Sequence, residues 1–159
     1  MSTGGLFVAL AGMIVGLSCF SFILYVVYVI GLWKMFEKLG LEGWKSIIPF
    51  YNVYVLAGKT WDPKFIIYSW VGIVAYSIVN KISGVGGFIG MLFALIALVI
   101  AIALVVIKAR SAYYISKAFN YDIVFAVGYF FFPFIFTLIL GFGDAMYVGN
   151  YFKESGAQY

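Results

Sequence analysis

From Leu6 to Trp33 no side chain is charged. These 28 residues, at ~1.5 Å rise each, make about 42 Å of helix, enough for a ~30 Å hydrocarbon core and both interfaces. Met1–Gly5 carries no charged side chain ahead of the run, so it reads as an uncleaved anchor rather than a leader. Lys34–Leu39 continues the helix, with Lys34 near Glu37 or Lys38 near Glu42, and Gly40 is placed to end it. An apolar island from Ile47 to Gly58 follows. It is too short to cross, holds Pro49 and is rich in aromatic rings, which predicts an interfacial or shallow re-entrant element. A second span is expected at 65–82, closed by Lys81 and a Gly-rich turn, and a third at 88–107, stopped by Lys108 and Arg110. Between Lys108 and Tyr121 the pattern turns amphipathic. Arg110, Tyr114, Lys117 and Tyr121 form one stripe and Ala112, Ile115 and Phe119 another, which predicts a helix along the membrane surface. A fourth span is expected at 123–140, kinked at Pro133, with Gly141–Asp144 ending it and a polar, mobile tail over 147–159. The predicted fold is all-α: an integral membrane four-helix bundle forming one transmembrane domain over 1–146, with an interfacial or re-entrant segment after helix 1 and an amphipathic helix before helix 4.

Composition agrees with the bilayer as solvent. The chain is 65% hydrophobic and 10% charged, with a mean hydropathy of +1.10, and 159 residues have too little interior to hide that surface in water. Its net charge of +4 does not imply nucleic acid, because the lysines flank apolar runs instead of forming a basic face. With four spans, the loops after spans one and three hold eight of the ten basic residues, leaving Lys81 and Lys153 outside. This count orients the chain with both termini out.

Chemistry is scarce. Histidine is absent, and Cys19, the single cysteine, lies in an apolar run and has no partner for a disulfide within the chain. Apart from Lys81 at the end of the second, no predicted span holds an acidic or basic side chain, so the expected serine and threonine roles are backbone or interhelical hydrogen bonds rather than catalysis, and carrier-type proton coupling is disfavoured. We therefore expect no catalytic residues, no cofactor and no metal site. Asp144, set among Gly141, Phe142 and Gly143, is expected to cap its turn or meet a cation, with Lys81 as a conceivable ion-pair partner. Gly12 with Gly16, Gly86 with Gly90, and Ala97 with Ala101 are helix-packing pairs at four-residue spacing, towards this chain or another copy. The lysines are read as topology signals that can also hold anionic lipid.

Two segments together are familiar: Leu32–Lys38 with Gly43–Asn52, and Pro133–Ile135 with Leu140–Ala145. In these the chain resembles a family of small bacterial membrane proteins of unknown function, some of whose members are joined to a type I signal peptidase. The resemblance implies a bacterial cytoplasmic membrane protein. It brings no catalytic residues. It implies instead that the loop bearing Trp44, Lys45, Pro49, Tyr51 and Asn52 and the turn bearing Gly141, Gly143 and Asp144 are the functional features, since neither is needed merely to span a bilayer. The expected role is a non-enzymatic partner-binding, accessory or immunity-type module, contacting lipid and either another membrane protein or further copies of itself. The alternative is a small oligomeric channel or permease.

Overall fold

The computed structural model describes residues 3–84 and 86–156. The described residues are helical: α1 (Thr3–Lys38), a 3-10 turn (Gly43–Ser46), α2 (Tyr51–Thr60), α3 (Lys64–Ser83), α4 (Gly87–Ala118), α5 (Ile123–Phe131), α6 (Pro133–Phe142) and α7 (Tyr151–Gly156). Three of these, α1, α3 and α4, are long and apolar enough to cross a membrane. The chain is built as a membrane protein.

α1 runs on past the apolar stretch to Lys38 and stops at Gly40, whose φ of 68° is the left-handed conformation that glycine adopts freely. Lys34 pairs with Glu37 at 3.1 Å, while Glu42 pairs with Lys45 at 3.3 Å rather than with Lys38. α3 lies against α4, close enough at Gly72 that an added Cβ would meet Leu104 at 3.0 Å.

Two expectations about the C-terminal half are corrected. The amphipathic stretch after Lys108 is not a separate surface helix: α4 continues unbroken to Ala118, since neither glycine nor proline interrupts it. Its apolar stripe, Ala112, Ile115 and Phe119, is buried inside the protein instead of in the headgroup layer. The expected fourth span is two half-helices folded back on each other. Pro133 offers no N–H and disfavours a helical residue before it. Phe132 accordingly leaves the helix at φ −128° and ψ 60°, and Pro133 starts α6 afresh. The Phe125 and Phe136 rings lie 4.8 Å apart, and Thr137 donates to the Tyr129 hydroxyl at 3.4 Å. Such contacts across eight and eleven residues require a hairpin, because a continuous helix would separate Phe125 and Phe136 by about 16 Å. At ~14 and ~15 Å, neither half could cross a hydrocarbon core.

The hairpin enters and leaves at one end of the bundle. Ser116 on α4 donates to the Asp122 carbonyl at 2.9 Å, and after α6 the Val148 amide returns to the Ala118 carbonyl, also at 2.9 Å. The tail is docked there too. Tyr147 donates to the Lys59 carbonyl (2.7 Å) and the Asn150 amide to that of Trp61 (2.9 Å), while α7 forms over residues expected to be mobile. The tail thus docks where α2 ends and α3 begins, beside the end of α4.

Beneath the apolar helices sits a packed base of Leu32, Met35, Phe36, Leu39, Ile115, Phe119 and Leu140. Beside it, Trp61 is stacked between Phe65 (4.5 Å) and Tyr114 (5.6 Å).

Candidate functional site

The residues between α1 and α2 rise and return. Phe50, held at a φ of 66° that a bulky residue rarely adopts, meets Trp70 two turns into α3 at 6.0 Å. α2 then descends to Trp61 at the start of α3. The apolar island thus folds as a loop that turns at Phe50 and returns as α2. Its tip and the hairpin tip at Pro133 flank the same level of α4, close to Lys108, whose ammonium lies 4.8 Å over the Phe130 ring.

Between these tips lies a cavity of about 330 Å³. Each wall is a helical stripe: Tyr28, Leu32 and Phe36 from α1; Asn52, Leu56 and Thr60 from α2; Lys108, Ser111 and Ile115 from α4. Tyr129 and Pro133 close it from the hairpin. Leu32, Phe36, Leu56, Thr60 and Ile115 are buried, whereas Val53, Lys108 and Pro133 are exposed, so the inner end is apolar and the mouth is cationic. No ion pair among the described residues engages Lys108.

Of the predicted loop residues, only Asn52 lines this cavity, and its side-chain amide donates to the Ser46 carbonyl at 3.0 Å, tying the loop to α2. Trp44 and Lys45 face the other way and close on Glu42: the indole N–H donates to its carboxylate at 2.8 Å, and Lys45 lies 5.9 Å from the indole ring. The Trp44 N–H, with Lys45 second, holds the Glu42 carboxyl below the usual range. Pro49 and Tyr51 are exposed on either side of Phe50.

The Gly141–Asp144 turn has a packing role. A Cβ on Gly141 would strike the Gly31 carbonyl, so these two glycines set the closest approach of α1 and α6. Lys38 completes the joint, donating to the Leu140 carbonyl at 2.7 Å and to that of Gly143, the orphan acceptors at the end of α6. Asp144 lies beside Lys38, and Lys81 is far along α3, which corrects the pairing considered from sequence.

The family model described as a family of unknown function (DUF5684) matches residues 44–150. The chain belongs to this family. Comparison with curated proteins and with solved structures gives no match. The DUF5684 match runs from Trp44 to Asn150, so it includes the loop before α2, the hairpin and the Asn150 clamp and begins after α1. Two cavity walls and the hairpin therefore belong to the family region, while Tyr28, Leu32 and Phe36 are added by α1.

The small-residue pairs divide. Gly12 and Gly16 meet nothing within 4 Å and so do not pack within the chain. Gly86, at φ 81°, precedes the first turn of α4, and Gly90 and Ala97 are buried, with Ala101 partly so. Sequence reasoning missed the cavity and the Gly31–Gly141 crossing. The four-residue spacing of 28, 32, 36 and of 52, 56, 60 is the signal that could have found the walls.

Proposed function

We propose that this protein is a non-enzymatic module of the bacterial cytoplasmic membrane that binds another membrane protein through the outer part of α1. One observation carries the reading: residues 4–27 are exposed on every side, whereas α1 below them is held by α6 and the 3-10 turn. Helices associate in lipid by close packing at small residues, and Gly12 and Gly16 offer an open face for that. The absence of histidine and of charge within the apolar runs supports a binding role over chemistry.

Orientation follows from the basic residues. With the tail at the same end as the lysine-bearing loop, Lys153 joins the eight basic residues already there and Lys81 alone lies opposite. That bias puts Thr3 outside and the hairpin, base and tail in the cytoplasm-facing half. Reporter fusions should show a C-terminal tag inside; a tag exposed outside would refute this orientation.

For the partner, a cysteine placed at Gly12 in a Cys19→Ser background should crosslink in native membranes to a second, different membrane protein. Gly12→Ile with Gly16→Ile should abolish the adduct and copurification while leaving helical content unchanged. Recovery as an uncrosslinked monomer, with nothing copurifying, would sink the reading.

A further inference from the structure

The cavity above the base is independent of the outer part of α1 and has a different chemistry. Lys108 is the first charged residue on α4 after the apolar run from Phe88 to Ile107, about 30 Å of helix. In a bilayer this puts its ammonium at the level of one leaflet's phosphates. Lys108 is an exposed lining residue of the cavity without a carboxylate partner among the described residues, and its ammonium lies 4.8 Å over the neighbouring Phe130 ring. Further in, the hydroxyl of Ser111 and the amide of Asn52 line a space whose inner end is Leu32, Phe36, Leu56 and Ile115. A cation at the rim, a hydroxyl and an amide further in and mostly apolar walls match a molecule that is anionic at the mouth and only weakly polar beyond it.

We propose that this cavity is a binding site for an anionic phospholipid of the leaflet on the hairpin side, with the lipid phosphate on Lys108 and its glycerol region drawn in past Ser111. The volume supports that division: about 330 Å³ is roughly eleven waters' worth at ~30 Å³ each, room for a headgroup and glycerol but not for acyl chains. The chains stay in the bilayer and leave by the opening between Val53 and Pro133. Free phosphate fits less well, because the walls beyond Lys108 are mostly apolar and would gain nothing from it.

The test uses the full chain in a nonionic detergent, titrated with phosphatidylglycerol, with phosphatidylcholine of the same acyl chains, and with inorganic phosphate. Native mass spectrometry counts bound lipid and thermal unfolding reads its effect. One phosphatidylglycerol per chain should bind saturably and raise the melting temperature, with phosphatidylcholine much weaker and phosphate not competing. Lys108→Gln should weaken phosphatidylglycerol about tenfold, Lys108→Arg should retain it, and Ser111→Leu, which fills the cavity, should abolish it. Lys153→Gln, on the tail, should change nothing, and lipid-free melting curves identify any variant that fails to fold. Equal binding of both lipids, an unaffected Lys108→Gln, or retention by a folded Ser111→Leu would each overturn the site. Competition by inorganic phosphate as strong as by lipid would make it a phosphate site instead.

Discussion

Gly141→Val is expected to cost about 3 kcal/mol, the upper end of the range for overpacking a tight contact, because the new side chain meets backbone rather than a flexible neighbour. Its Cβ would strike the Gly31 carbonyl, and neither α1 nor α6 can yield without loosening the other. α6 is only Pro133–Phe142 and has few other holds: the α5 face, where Phe136 closes on Gly128, and the Lys38 ammonium at its end. Forcing α1 away should therefore release the hairpin and expose Leu140 and Thr137, both fully buried. Reversible unfolding in mixed micelles, followed by helical circular dichroism, measures the loss. Gly12→Val supplies the contrast, since its Cβ would enter open space and should change stability by less than about 0.5 kcal/mol. Equal stability of the two variants would show that the crossing is not a packing constraint.

Trp61→Ala should cost more, about 3–5 kcal/mol, the range for removing a large aromatic side chain from a packed site. The indole is 1% exposed, is stacked on Phe65 and Tyr114, and joins the end of α2 to the start of α3 and the lower part of α4. Its carbonyl also accepts the Asn150 amide, so movement there would be transmitted to the tail. Trp61→Phe separates stacking from polarity. The indole N–H is buried without a hydrogen-bond partner among the described residues, and phenylalanine removes that unsatisfied donor while keeping a ring. It should stay within about 1 kcal/mol of the parent. A loss as large as alanine's would mean that the N–H has a role that its surroundings do not display.

Much of this architecture was legible in the residues. Long uncharged runs fix α1, α3 and α4 because a helix is the simplest way to satisfy a backbone in lipid. The end of α1 at Gly40 and the break of the short apolar island around Pro49 follow from local chemistry. The hairpin was misread for a specific reason. Ile123–Leu140 has the length and hydropathy of a span, and a proline can either kink a helix or end it. What decides between the two is tertiary: Gly128 accepting Phe136, Gly31 accepting α6, and Ser116 and Ala118 holding the two ends at one level. No window of sequence contains those pairs. The same holds for the candidate site. The aromatic and basic residues of the loop, Trp44 and Lys45, satisfy Glu42 locally, whereas the cavity is assembled from ordinary positions on three helices and a hairpin.

The hairpin also constrains how the protein is made. Because α5 and α6 enter and leave at one end of the bundle, a bilayer crossed by α1, α3 and α4 would leave neither Asp122 nor Asp144 to be carried across. Yet α6 docks on α1, from which it is separated by about a hundred residues of synthesis, as the Lys38 bonds to Leu140 and Gly143 record. At the ~5–20 residues per second of translation, α1 waits several seconds in the membrane with its Gly31 surface uncovered. During that interval the surface is open to insertion factors and to neighbouring helices, and completion of the chain is what closes it.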